Sequence, residues 1–424
     1  VWLGLFSLDY RGNAFDAWRV SAVIIDSIFR DLGDWLMSPN TMTGVQLDAD
    51  DQMLRDSVSR WAQAQAGAGD TQARWQQMAD FGWLAMTLPE AHEGLGQGLA
   101  QAAVLHEALG AAAISEPLIP AIALGAALIA RADHPAAQAD WLPAIASGES
   151  VIVPAVSERG SGWRPQRLQT QARASGSGWR LDGVKQVVAA GHRADAWLVA
   201  AELDQGSESV PDFGLFIVTR GLAGVSSHAF QTVDGAGACR LVLDGVQLDA
   251  SACLVRAGRA AWEHAADRAL VLACAESVGA MDALLRTTAD YLRTRVQFGR
   301  PLATNQVLRH RMADFKVGCE EARSMTQAAV LAMAGSSDEL DALVRARIAS
   351  GARAKVGALA RRACEEAIQL HGGMGVTEEL PVGVYLKRQL ALDAMLGSPD
   401  WHLRRHASLR AAIAARNIEK GAGQ

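Results

Sequence analysis

The sequence predicts an α+β protein, mostly α, with helices at both ends and a compact antiparallel β domain between them. Three observations carry this. Helical apolar spacing fills the first part of the chain. Short runs with period-2 alternation, separated by Gly, Ser and Asp, fill the middle. Long apolar stripes then return and persist. At 424 residues the chain can hold two or three domains and a sizeable core.

Residues 1–41 read as an extension outside the core. Val20, Ile24, Ile28, Leu32 and Leu36 recur four apart, as on one helix face, while Asp26, Arg30, Asp31 and Asp34 rule out a membrane span. The stretch has no small-residue cleavage site, and its acids do not suit a transit peptide. The expectation is an upstream extension, with Met37 or Met42 nearer the working N-terminus; the alternative is an amphipathic docking helix.

An N-terminal helical domain is expected over 42–150. VQLDADDQMLRDSVSRWAQA has helical spacing after an acidic start, Gly67, Gly69 and Asp70 break it, and WQQMADFGWLAMTL resumes it. TLPEAHEGLG (87–96) is a turn-rich break, and Ala-rich helices follow. The central β domain is expected over 151–257, from VIVPAV, WRLDGVKQVVAA, AWLVAAE, FGLFIVT and CRLVLDGVQL. A C-terminal helical domain fills 258–424. Pro301 is expected to open its second helix, Ser336 and Glu339 to form a capping box, and Ser398 with Pro399 to start the last helix.

Bulk properties exclude several function classes. A net charge of -6 gives no basic footprint for nucleic acid. Five scattered cysteines without a C-x-x-C pair suit free thiols in a reducing cytoplasm. The ten histidines form no H-x-x-x-H or H-E-x-x-H pattern, so no metal site is expected.

Two stretches carry the chemistry. YLRTRVQFGRPLATNQVLRHRMADF (291–315) puts Arg295 and Phe298 at the end of one helix and Gln306 just inside the next. A cation, an aromatic face and an amide at a helix junction suit the phosphates and adenine of a dinucleotide. QLHGGMGVTEELP (369–381) follows a long helix with adjacent glycines, Gly372 and Gly373, that admit a close backbone or phosphate approach. Each alone is equally well a solvated helix surface or a helix C-cap.

Together these motifs resemble the acyl-CoA dehydrogenase family: R-x-QFG-x-P with Q five residues on, then Q-x-HGG-x-G-x-T-x-E-x-P. LPEAHEGLG resembles its LPE-x-x-GGLG segment, with Glu93 in place of the first glycine, and RLDGVKQVV resembles its L-x-G-x-K hairpin. AESVGAMDALLRTTADYLRTRVQFG is similar to the small-subunit branch typified by pimeloyl-CoA dehydrogenase. The resemblance spans about residues 46 to 416. It implies an N-terminal helical domain, a central β domain and a C-terminal four-helix bundle. It also implies FAD, an acyl-CoA substrate, α,β-dehydrogenation and an electron-transfer flavoprotein as acceptor.

Such chemistry needs a carboxylate to take the α-proton. Counted from Gln369, the base position falls on Leu396, followed by Gly397 and Ser398. The alternative base position of some members falls on Ala269 or Leu270. Asp393 and Asp400 are the nearby acids, and neither suits the role well: Asp400 sits in a helix first turn, where the dipole explains it. The flavin-packing Trp-x-Thr of the β domain is replaced by Val187 and Ala189, while Val156, Ser157 and Glu158 keep part of a V-T-E segment. Val156, Ser157 and Ser398 are the ring-side positions that remain. In the family one subunit supplies ring cradle and base, and its neighbour reaches over to hold the dinucleotide. This chain keeps the reaching-over set, Arg295, Phe298, Gln306, Gln369, Gly372 and Gly373.

The implied function is the base-lacking subunit of a heteromeric FAD acyl-CoA dehydrogenase, a cytoplasmic dimer or tetramer with a catalytic partner of the same family. Two alternatives stand beside it. One is a self-sufficient flavin enzyme, either a dehydrogenase with a relocated base or a monooxygenase. The other is a non-catalytic acyl-CoA-binding protein.

Overall fold

The computed structural model describes residues 49–65, 71–160, 167–203, 212–334 and 341–422. The extension 1–41 and the Ser336–Glu339 capping box lie outside the described residues. Among the described residues five α-helices come first: α1 (Ala49–Ala64), α2 (Thr71–Asp80), α3 (Leu99–Ala111), α4 (Ala127–Arg131) and α5 (Pro135–Ala146). Val58 and Trp61 on α1 and Trp75 and Met78 on α2 point inward, as their spacing requires. A π-helical stretch, Leu118–Ala126, leads directly into α4.

The break between α2 and α3 explains a glycine of the sequence motif. A 3₁₀ turn, Glu90–His92, ends at Glu93 with φ 63° and ψ 18°. That left-handed conformation is the one glycine adopts without penalty, so Glu93 carries strain where a glycine would not.

Eight strands form one sheet: β1 (Ile152–Ala155), β2 (Gln171–Ser175), β3 (Gly178–Ala189), β4 (Ala196–Leu203), β5 (Phe213–Thr219), β6 (Val225–Gln231), β7 (Gly237–Leu248) and β8 (Cys253–Val255). The order is β6-β7-β3-β2-β4-β5-β8, with β1 also on β4. The expected all-antiparallel pairing is corrected at two places, because β1–β4 and β2–β4 are parallel. The chain runs through the β2–β3 hairpin between β1 and β4, and such a crossover returns the strand in the same direction. In β3 the register against β7 shifts between Lys185 and Val188, a bulge that includes Gln186 and Val187.

Five helices follow: α6 (Gly258–Thr294), α7 (Gln306–Ala334), α8 (Ala342–His371), α9 (Val382–Leu396) and α10 (Pro399–Ala422). The last two are separated only by Gly397 and Ser398, with Gly397 at φ 97°. Helix α8 is the central member and packs on the other four. Asp341 caps it by accepting from the Leu343 and Val344 amides. Pro301 does not open α7. It pairs with Val296 in a two-residue ladder and precedes a 3₁₀ turn, Leu302–Thr304, before the helix starts at Gln306. Ser398 and Pro399 do start α10, with the Trp401 amide donating to Ser398 Oγ at 3.3 Å. Among the described residues no helix is long and apolar enough to cross a membrane.

Candidate functional site

Helix α6 ends at Thr294, and Arg295 follows as its C-cap. A tight hairpin then turns the chain, with Arg300 opposite Gln297 and the Leu302 amide donating to the Arg295 carbonyl at 2.9 Å. Phe298 occupies its tip at φ 55° and is 96% exposed. Arg295 and Gln306 are exposed too, and neither side chain has a hydrogen-bond or ion-pair partner among the described residues.

At the C-terminal end of α8, Gln369, Gly372 and Gly373 are exposed. A Cβ added at Gly372 or Gly373 would meet nothing within 4 Å, whereas one at Gly375 would lie 2.4 Å from the Ile368 carbonyl oxygen. Gly375 therefore serves the fold, and the first two leave an open backbone surface. Tyr291 joins the two motifs. Its hydroxyl donates to the His371 carbonyl at 3.3 Å, and its ring lies 4.4 Å from the His371 ring. The sequence pattern did not single out Tyr291; its place one turn before Arg295 was the available signal.

The β domain assembles a separate group. The Gln186 amide donates to the Ser157 carbonyl at 2.9 Å, which sets the 156–158 segment beside the bulge of β3. Val156 is buried, Ser157 half-buried, and Val187 is 48% exposed. Below them Lys185 donates to Glu158 at 2.5 Å, with both side chains buried. Burial pushes Lys185 down to about 8, and Glu158 draws it partly back. Burial also opposes the Glu158 charge, but Lys185, Thr170 and the Gln169 amide outweigh it and hold the carboxyl below its usual range. The motif lysine and the V-S-E glutamate are thus one buried ion pair, a scaffold for the strand ends above it.

At the positions where the sequence places an expected base, Leu396 is 1% exposed, and Ala269 and Leu270 are fully buried. The Leu396 carbonyl accepts from His402 Nε2 at 2.8 Å, so a residue of the next helix fixes the backbone there. Asp393 is held by Arg353 Nη2 at 2.5 Å, against the interior of α8. Burial raises the Asp393 pKa, and Arg353 counters part of that rise. Asp400 is exposed in the first turn of α10.

Sequence profiles of the acyl-CoA dehydrogenase N-terminal, middle and C-terminal domains match residues 48–149, 154–246 and 256–408. Acyl-CoA dehydrogenase FadE27 of Mycobacterium tuberculosis is 30% identical over 337 residues, which cover 78% of this chain and 86% of the relative. The chain belongs to the acyl-CoA dehydrogenase family. Two solved structures of the family are similar over most of their length. The Tcur3481–Tcur3483 steroid ACAD superposes with TM-score 0.75 at 28% identity, covering 87% of this chain and 100% of that one. The ChsE4–ChsE5 complex of Mycobacterium tuberculosis gives 0.76 at 26%, covering 86% and 98%.

The side chains present fit the FAD that this family implies, in two halves. The exposed guanidinium, aromatic face, amide and bare glycine backbone of the α6–α8 group match a pyrophosphate and an adenine. The ring-side half is only partly kept: Ser157 offers a hydrogen-bonding group, while Val187 and Ala189 stand where the family's flavin-packing Trp-x-Thr is expected.

Proposed function

We propose that this chain is the base-lacking subunit of a heteromeric FAD-dependent acyl-CoA dehydrogenase, which desaturates an acyl-CoA thioester between its α and β carbons. The observation that carries the reading is the contrast between two positions. Leu396 is 1% exposed where a catalytic carboxylate is expected, while Phe298 is 96% exposed where a partner's cofactor is expected. Phe298 belongs to the reaching-over set, so its exposure suits contact with a neighbouring subunit's cofactor, and a chain with leucine at position 396 needs a neighbour that carries the carboxylate.

In the assembled enzyme Arg295 would hold phosphate, Phe298 would offer its face to the adenine, Gln306 would supply an amide, and Gly372 and Gly373 would admit close backbone approach. Bound FAD would supply the acceptor for the β-hydrogen, removed as hydride. The α-proton goes to a carboxylate of the partner subunit, because Asp393 is engaged by Arg353 and Leu396, Ala269 and Leu270 cannot accept it. The native assembly is a dimer or tetramer working in the cytoplasm, with an electron-transfer flavoprotein as acceptor. All five cysteines are unpaired, as a reducing compartment requires. The likeness to a steroid ACAD and to the ChsE4–ChsE5 complex supports a bulky acyl group and a two-chain enzyme.

The test is to purify the chain alone and co-expressed with a Glu-bearing family member encoded nearby. The co-expressed complex should be yellow and reduce an artificial acceptor with acyl-CoA, and the lone chain should do neither. Tight FAD binding and turnover by the lone chain would refute the proposal.

A further inference from the structure

The last turn of α6 carries a residue whose contacts run to both segments of the reaching-over set. The Tyr291 carbonyl accepts from the Arg295 amide at 2.8 Å, which closes the helix and seats the first residue of the Phe298 hairpin. It also accepts from Thr294 Oγ1 at 3.3 Å. The Tyr291 side chain goes the other way, to the end of α8. Its hydroxyl donates to the His371 carbonyl at 3.3 Å, and its ring lies 4.4 Å from the His371 imidazole with the planes 31° apart. His371 is itself fixed: its side chain is buried, and Nδ1 lies 2.8 Å from the Ala367 carbonyl oxygen one turn back.

The hydroxyl contact falls on one particular peptide unit. The His371 carbonyl and the Gly372 amide lie in the same plane. The carbonyl accepts from Tyr291, and the amide donates to the Gln369 carbonyl. Both polar atoms of the plane are engaged, so it cannot turn without losing a hydrogen bond. Directly after it the chain enters a region of backbone space that glycine alone adopts readily, with Gly372 at φ 61° and ψ -138°. Such a conformation persists only where its surroundings hold it. Side-chain packing does not do so, because Gly372 and Gly373 are exposed and a Cβ on either would meet nothing within 4 Å. The Tyr291 bond is what reaches this plane from outside its own helix.

We infer that Tyr291 is a positioning residue for the dinucleotide of the partner's FAD: it orients the Gly372–Gly373 backbone through its hydroxyl and fixes that backbone relative to Arg295, which its carbonyl seats. The inference rests on the proposed function, since it names the residue that joins the two parts of this chain's share of the cofactor site. If Tyr291 only filled space, a phenylalanine would serve as well. Thr288 supplies the comparison. It lies one turn earlier on α6 and is fully buried, and its hydroxyl has no hydrogen-bond partner among the described residues. Removing that hydroxyl changes the same helix without touching the Gly372 plane.

The experiment compares Tyr291→Phe with Thr288→Val, each removing one hydroxyl from α6 and keeping the shape of the side chain. In the co-expressed complex Tyr291→Phe should raise the FAD concentration needed for half-saturation by roughly two- to tenfold, the range for one neutral hydrogen bond. Thr288→Val should leave it unchanged. In the lone chain, without flavin, Tyr291→Phe should speed hydrogen exchange of the Gly372 amide, which shares its plane with the released carbonyl, and Thr288→Val should not. Equal effects of the two variants on FAD half-saturation and on Gly372 exchange would overturn the inference, as would wild-type behaviour of Tyr291→Phe in both. If the wild-type complex takes up no FAD, the proposed function fails, and the exchange comparison still decides whether Tyr291 holds the glycine backbone.

Discussion

Replacing Leu396 with glutamate tests the proposed base position directly. The structure sets the cost. Leu396 is 1% exposed, so its burial contributes roughly 1.5–3 kcal/mol that a glutamate forfeits in large part. Burial opposes the charge of the new carboxyl, as it does that of Asp393 one turn away, and raises its pKa. Keeping a proton some two units above its normal range costs about 3 kcal/mol. The sum, about 5 kcal/mol, is comparable to the whole stability of many domains. Urea unfolding at pH 7.5 and pH 5.0 measures it. A carboxyl with a raised folded-state pKa binds its proton in the folded form first, so the penalty shrinks as pH falls toward 5. Leu396→Gln should show a penalty that does not change with pH. If Leu396→Glu unfolds within about 1 kcal/mol of the parent at both pH values, position 396 faces a solvated pocket and the reasoning is wrong. Turnover by that variant alone would further show that a missing base was all that separated the chain from catalysis.

Other consequences can be measured alongside. Phe298→Ala should leave unfolding of the lone chain within about 0.5 kcal/mol, since the ring is solvent-exposed, yet the purified complex should lose its yellow colour. Gly375→Ala should destabilise by about 1–3 kcal/mol, because its Cβ would press on the Ile368 carbonyl. Gly373→Ala should be nearly neutral to stability and harm only FAD retention. Glu93→Gly should raise stability by about 1 kcal/mol through relief of the left-handed strain at φ 63°, seen as a higher urea midpoint. Burial lowers His106 and His264 to about 4. The unfolded chain therefore takes up these protons first, and stability is lost as pH falls from 6.5 toward 4. Each contributes on the order of 2–3 kcal/mol, and His106→Phe should flatten the slope of urea midpoint against pH in that window.

The sequence carried the fold class because periodicity reports burial, and burial decides the elements. It also carried the Ser398–Pro399 helix start and the placement of Gln306, where local chemistry acts over three or four residues. It did not carry the parallel pairing of β1 and β2 with β4, which depends on how the chain crosses back over many residues. Nor did it show that Glu158 and Lys185 are one pair, that Tyr291 reaches His371, or that His402 holds the Leu396 carbonyl. Each of those contacts joins segments whose spacing leaves no local signature. The motif glycines looked alike in the sequence. Only their surroundings separate Gly375, pressed on backbone, from Gly373, which faces open space.

The hairpin around Phe298 is tied by its own ladder, by the Leu302–Arg295 bond and by Tyr291 at its base. Its shape exists before any second chain arrives. In the proposed complex, association would lose little conformational entropy at this point, and complementarity between the two surfaces would be tested at once, without folding on contact. A hook made in advance also tolerates little error. A one-residue insertion between Val296 and Pro301 would swing the aromatic ring away from its target while leaving every helix of the chain in place.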